Sequence, residues 1–336
     1  MRRKLWTGIL SALALLVLIL DTKTAILGAA EGLSLCISTI IPSLLPFFVL
    51  SILLTSSLIG EKAGFLRPIG KLCGIPRGAE SLFIVGALGG YPAGAGCIVS
   101  AYQDGSIRKL DAQRMLAFCN LAGPAFLFGV IADKFSTPFT VWGLWGIHIL
   151  SAIFVGMLLP NKTRDTATLR PRKQSSLPDA LQRSLRIMAS VCGWIILFRI
   201  IIAFLQRWLL WLLPTPLKVC IIGTLELSNG CLELGSIRNE GLRFILSSGM
   251  LAFGGLCVSM QTVSVCNGLA LKTYFIGKIL QVIFSVLLAI TLQYAIFPRE
   301  QWQVISVIFW FIPAAAIILC LKFLHKKQKT VAISCR

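Results

Sequence analysis

The chain reads as an all-α polytopic membrane protein, with about eight transmembrane helices and two re-entrant helical hairpins in two inverted repeats. Three observations predict this. Of 336 residues, 56% are hydrophobic and only 13% charged, whereas a soluble domain carries roughly 25% charged residues. The apolar residues gather in runs near the ~20 residues that cross a bilayer. The basic residues, which give a net charge of +19, cluster in stretches between and beyond those runs, notably at Arg2-Arg3-Lys4, 62–77, 162–186 and 322–329. That is the positive-inside pattern. Nucleic-acid binding would need a folded basic face with aromatic platforms and is set aside.

Taken in order, spanning runs are expected at 5–20 (short), 33–58, 115–131, 138–159, 187–205, 242–265, 274–297 and 304–324. Residues 1–20 have the basic start and apolar core of a signal peptide. Gly28-Ala29-Ala30 is a weak cleavage site, so an uncleaved first helix is expected. Pro42 and Pro46 predict a kink in the second run. Two further segments, 79–101 and 217–235, are long enough to cross but carry helix breakers and acids. If both crossed, the basic loop 161–186 would lie outside, against the charge bias. If each is a re-entrant hairpin, the stretches 62–77, 108–114 and 161–186 and the C-terminal tail all fall on the cytoplasmic side. Arg199 then remains as the mid-span cation.

The same count makes the halves span, hairpin, span, span, in opposite orientations. Met115-Leu116-Ala117-Phe118 recurs as Met250-Leu251-Ala252-Phe253, and Gly86-Ala87-Leu88 echoes as Gly223-Thr224-Leu225. The expected organisation is a first helix with a short external loop (1–30), repeat 1 (31–159) and a basic cytoplasmic loop (160–186). An inverted repeat 2 (187–297) and a last helix with a basic tail (298–336) complete it. Inverted repeats are the architecture of many secondary transporters, whose sites lie at mid-depth on broken helices.

Gly89-Gly90-Tyr91-Pro92-Ala93-Gly94-Ala95-Gly96 breaks the first hairpin at its centre. Broken backbone at that depth is tolerated where it lines a cavity or is buried in protein. Gly89, Gly90, Tyr91, Pro92 and Gly94 are therefore candidate solute-binding residues, though Gly86, Gly90 and Gly94 also make a small-residue packing stripe. In the opposing segment, Glu226, Ser228 and Asn229 are candidates. An intramembrane carboxylate usually faces a cavity, a partner or a proton path, so Glu226 is the expected coupling residue. Glu233 is read as interfacial, and Glu80 as a helix-start acid.

The break Asn120-Leu121-Ala122-Gly123-Pro124 contributes Asn120, Gly123 and Pro124; the region after Gly254-Gly255 contributes Gln261. Asn120 and Gln261 either bind a polar solute or hydrogen-bond between helices. Arg199 is assigned a charge role, with Glu226 as its expected partner. His148, in an apolar helix, is expected to be hydrogen-bonded in place. The eleven cysteines include no C-x-x-C and read as small apolar fillers. H-E-x-x-H, G-x-S-x-G and Walker signatures are absent, so no enzyme, catalytic residue, cofactor or metal site is expected.

Gly86-Ala87-Leu88-Gly89-Gly90-Tyr91-Pro92-Ala93-Gly94-Ala95, followed by Met115–Asn120, Gly123-Pro124-Ala125-Phe126 and Gly254-Gly255-Leu256 with Met260-Gln261, resembles a known family. It is similar to the sporulation integral membrane proteins of spore-forming Firmicutes, the YlbJ type, with their nucleoside-recognition (Gate) domain. The resemblance implies a multi-pass cytoplasmic-membrane protein of endospore development, acting in spore cortex formation, with repeats related to transporter cores. It supplies no substrate. Two functions follow as expectations: a small-solute permease, or a non-transporting scaffold that positions cortex-assembly proteins. Expected partners are membrane lipid, a small polar solute, sporulation proteins and a second copy of the chain. Both termini are expected in the cytoplasm.

Overall fold

The computed structural model describes residues 2–58, 66–160, 169, 174–266 and 268–297, and among these it is helical throughout, without a β-strand. α1 (Arg2–Leu20) leads into α2 (Thr22–Leu35), which the Asp21 side chain caps at Thr24. A π-helical turn at Cys36–Ile40 joins α2 to α3 (Ile41–Leu58), so the irregularity expected from Pro42 and Pro46 takes the form of that turn. Then come α4 (Arg67–Cys73), α5 (Ser81–Gly89), α6 (Ala93–Gln103), α7 (Lys109–Cys119), α8 (Pro124–Phe126) with a π-turn at Leu127–Ile131, and α9 (Pro138–Leu158). The second half holds α10 (Leu177–Trp208), α11 (Thr215–Leu225), α12 (Leu227–Glu233), α13 (Glu240–Phe253), α14 (Gly255–Val265) and α15 (Lys272–Ile296).

Among the described residues, six helical stretches are long and apolar enough to cross a membrane: Thr22–Leu58, Lys109–Lys134, Pro138–Leu158, Leu177–Trp208, Glu240–Val265 and Lys272–Ile296. They match six of the eight expected spans. The run Leu5–Leu20 is helical but shorter, and 304–324 lies outside the described residues, as do His325, the basic tail and most of 161–173. The second run differs most, because the helix begins at Thr22 and the π-turn lets it continue for 37 residues. Gly28 and Gly32 explain its docking. A Cβ on Gly32 would sit 2.9 Å from the Ile196 Cα, so α2 and α10 meet nearly backbone to backbone.

Both suspect segments are helical hairpins. α5 folds back on α6 and α11 on α12. Glycine pairs make the close approach possible, with Gly86 against Gly94 in the first hairpin and Gly223 against Gly230 in the second. The cores of the halves interlock: α15 packs on α7 and α9, while α13 packs on α9 as well as on α15.

Candidate functional site

Two broken helices meet the two hairpin tips. The first break separates α7 from α8, where Asn120 is extended and Gly123-Pro124 restarts the helix. The second separates α13 from α14 at Gly254 and Gly255, both with positive φ (79° and 81°), a backbone that side-chain-bearing residues rarely adopt. Gly254 lies directly beneath the Tyr91 ring, and Gly255 beside the Leu227 amide, so each abuts one hairpin tip.

A small cavity of about 50 Å³ sits between the two hairpin tips, the first break and α14. Gly89, Gly90 and Tyr91 of the first tip, and Glu226, Leu227 and Ser228 of the second, line it. Ala122, Gly123, Ala125 and Phe126 from the first break join Val258 and Gln261 from α14, with Leu44 and Phe48 of α3 and Val191 and Ile195 of α10 completing the wall. A cavity needs about 10–15 Å³ of such volume to admit one water, so this one has room for water but not for a larger solute without opening. A larger cavity of about 720 Å³ adjoins it, sharing Phe48 and Gly89. Its lining carries the hydroxyls of Ser51, Thr55, Ser56, Ser100 and Ser175, and the exposed Arg183 and Arg186.

Seven of the residues expected from sequence line the inner cavity: Gly89, Gly90, Tyr91, Gly123, Glu226, Ser228 and Gln261. Pro92 lines the larger one. Gly94 instead packs against Gly86 and the Cys119 carbonyl, so the small-residue stripe serves packing at both of its ends. Pro124 opens α8.

Asn120, fully buried, is a tie rather than a wall residue. Its Oδ1 accepts from the Ala95 amide (3.3 Å), its Nδ2 donates to Thr262 Oγ1 (3.0 Å), and its carbonyl accepts from Lys278 Nζ (2.7 Å). Asn229 holds Glu226: its backbone and side-chain nitrogens both donate to Glu226 Oε2 at 2.7 Å, and the Ser228 amide donates to Oε1 at 3.0 Å. Glu226 is thereby the N-cap of α12.

One charge assignment is corrected. Arg199 does not meet Glu226; its Nε donates to Glu31 Oε2 (3.0 Å) and its Nη1 to Gln206 Oε1 (3.3 Å), away from the cavity. Glu31 escaped notice because the helix was expected to begin near residue 33. Glu80 stands at the start of α5, as expected, with its carboxylate paired to Arg67 (2.6 Å) and accepting from the Gly78 amide. His148 is held in place, its Nε2 accepting from the Ala122 amide at 2.9 Å.

Sequence reasoning missed two buried cations. Lys278, on α15, has no exposure and donates to Tyr91 Oη (3.0 Å), Asn120 O and Gln281 Oε1 (3.1 Å). A stripe of polar residues on an otherwise apolar helix, Lys278, Gln281 and Ser285, was the available signal. Arg114 of α7 directs its guanidinium at the carbonyls of Cys73, Gly74 (2.9 Å) and Gly156 (2.7 Å), near the C-terminal ends of α4 and α9. Among the described residues, no group of three His, Cys, Asp or Glu side chains is placed to hold a metal ion.

Fold and site together define a multi-span helical membrane protein with a largely apolar cavity between broken helices, into which Tyr91, Glu226, Ser228 and Gln261 bring polar groups. The chain is 27% identical over 313 aligned positions, 77% of its own length and 75% of the relative's, to the sporulation integral membrane protein YlbJ of Bacillus subtilis (strain 168). That similarity supports the YlbJ-type resemblance. No family model matches the chain, so the Gate-domain part of the resemblance rests on the motifs alone. No solved structure matches it.

Proposed function

We propose that the chain is a small-solute permease of the cell membrane in a sporulating cell, working by alternating access between two inverted repeats. The observation that carries this reading is the cavity walled by both hairpin tips, the first helix break and α14, the helix that follows the second break. Broken backbone is expensive in lipid and is kept where it lines a binding site. The repeats pair α3 with α10, α5–α6 with α11–α12, the broken helix α7–α8 with α13–α14, and α9 with α15. Packing supports the pairing: α15 contacts α7 as α13 contacts α9, and α14 contacts α6 as the π-turn after α8 contacts α12.

In this reading the hairpins are re-entrant, both termini are cytoplasmic, and Leu5–Leu20 and 304–324 complete eight spans. The larger cavity, beside Arg183 and Arg186, is the cytoplasmic vestibule, and Phe48 with Gly89 separates it from the inner site. Gln261, Ser228, Glu226 and Tyr91 present the polar groups that a solute meets, and Glu226 is the group through which a proton or sodium gradient is coupled. Similarity to YlbJ supports a role in sporulation; a part in cortex formation is what the family resemblance implies.

A thermal-shift screen of purified protein against nucleosides, amino acids and peptidoglycan precursors tests the reading. A ligand at about 100 times its Kd stabilises the folded state by about 2.7 kcal/mol, and Tyr91→Ala should abolish that gain. A screen without hits, together with sporulation that survives Tyr91→Ala but fails when 161–186 is neutralised, would establish the scaffold function instead. Labelling of single cysteines at exposed Gln103 and Ser236 in a cysteine-free background tests the hairpins. The first should react from the cytoplasm and the second from outside.

A further inference from the structure

We propose that the Lys278 ammonium is a resident counter-cation, filling the place where a permease of this architecture would bind a mobile sodium ion, so that the protein works without sodium and, of the two coupling ions open to Glu226, the proton remains. The meaning of this inference rests on the permease reading; its test does not.

The argument starts from a hydrogen-bond count. Lys278 Nζ has three oxygen partners: Asn120 O, Tyr91 Oη and Gln281 Oε1. Two of these are fixed as acceptors by their other bonds. The Tyr91 hydroxyl gives its own hydrogen to Leu251 O (3.2 Å), and the Gln281 amide nitrogen donates to His148 O (3.4 Å), which turns Oε1 toward the lysine. The third is a carbonyl. Three acceptors require three N–H groups, and a lysine has three only as the ammonium.

Next comes the source of the negative potential. Among the described residues Lys278 forms no ion pair with a carboxylate. Instead, Asn120 O is the carbonyl end of α7, and Leu251 O lies in the last turn of α13. Each helix end carries the equivalent of about −0.5 elementary charge. Lys278 meets the first directly and the second through Tyr91, so two half-charges are balanced by one ammonium. The faces of Tyr91 and Tyr274, 4.9 and 5.9 Å from Nζ, add to the cation's environment. Carbonyl ends of broken helices with neutral oxygen ligands are what bind sodium in discontinuous-helix transporters. Here the chain supplies the cation itself.

The experiment compares the thermal unfolding of detergent-purified, full-length protein in sodium chloride and in choline chloride at equal ionic strength, with no solute present. The wild type should unfold at the same temperature in both. Lys278→Ala should be less stable in choline and should regain roughly 3 °C or more with added sodium, saturably. Lys278→Met, which fills the space without charge, should show no sodium response. If the alanine variant cannot be purified, Lys278→Ser serves in the same titration. A saturable, sodium-specific stabilisation of the wild type would overturn the proposal, as would a monodisperse Lys278→Ala or Lys278→Ser protein indifferent to sodium. Because no solute is added, a negative solute screen counts against the permease alone, and a failed sodium prediction against the role of Lys278 alone.

Discussion

The two hairpin tips face the same physical problem and solve it differently. Each begins a short helix whose first amide groups have no partner within that helix. At the second tip the answer is local: Glu226 accepts from the Ser228 and Asn229 amides of its own α12. At the first tip the Gly–Pro sequence offers no capping side chain, and the Ala95 amide of α6 is met from another element, by Asn120 of the first helix break. Tyr91 extends the same dependence to the second break, through Leu251 O and Lys278. One tip is self-sufficient, while the other is wired to both broken helices. The first hairpin therefore cannot shift without breaking hydrogen bonds to both breaks, whereas the second, among the described residues, meets them by packing alone. Under the permease reading, this contrast points to α11–α12 as the element that moves.

The largest effect that sharpens this contrast is expected from Gly86→Ala. Its Cβ would collide with the Cys119 carbonyl oxygen, which is backbone and has nowhere to go. A loss of about 3 kcal/mol or more is expected, at the upper end of overpacking costs. Gly96→Ala, with open space around it, should be neutral, and unfolding of both variants in one detergent checks the pair. Asn120→Ala should come next. It strands the Ala95 amide and removes a partner of Thr262, for an expected loss of roughly 2–3 kcal/mol at 1–3 per stranded group. A loss no larger than that of an average interhelical hydrogen bond in a membrane, about 0.6 kcal/mol, would break the contrast between the tips.

Both tips and both breaks were legible in the sequence because Gly, Pro and acids are conspicuous in apolar runs, where each costs backbone bonding or desolvation. Gly89, Gly90, Glu226 and Gly123 duly stand on the cavity wall. Lys278 was not legible to the same method, because an 18-residue window of Lys272–Ile296 still averages a hydropathy of 2.2. Its signal is positional: Lys278, Gln281 and Ser285, at i, i+3 and i+7, are all fully buried on one face of α15. The Arg199–Glu226 pairing failed for another reason. Charge alone proposes partners without geometry, and Glu31, the actual partner, became available only because the π-turn at Cys36–Ile40 carries α2 into the same long helix.

Tyr91→Phe probes the wiring itself. The hydroxyl both accepts from Lys278 and donates to Leu251 O, so its removal leaves one N–H and one carbonyl short of a partner. About 1–2 kcal/mol should be lost. The aromatic ring over Gly254 stays in place, which separates this effect from packing. In the double variant Tyr91→Phe, Asn120→Ala the losses should not add, because the two share Lys278 as a partner. Additivity measured in a double-mutant cycle would mean that the first tip is held by independent contacts.

The smallest stability effect should come from Glu226→Gln, and its interest lies in what separates from stability. The glutamine keeps the length and one carbonyl oxygen of the cap, so α12 can still begin at Leu227 and about 1 kcal/mol is the expected loss. Asn229, whose side chain now donates to the carboxylate at 2.7 Å, meets either an oxygen or a like donor and can turn to accept. If the second hairpin is the self-contained element, binding of a solute found in the screen should survive this substitution. Uptake against a concentration gradient into proteoliposomes with an imposed proton gradient should fall to simple equilibration. Uphill uptake retained by Glu226→Gln would leave this carboxylate as a cap alone and move the coupling to another group.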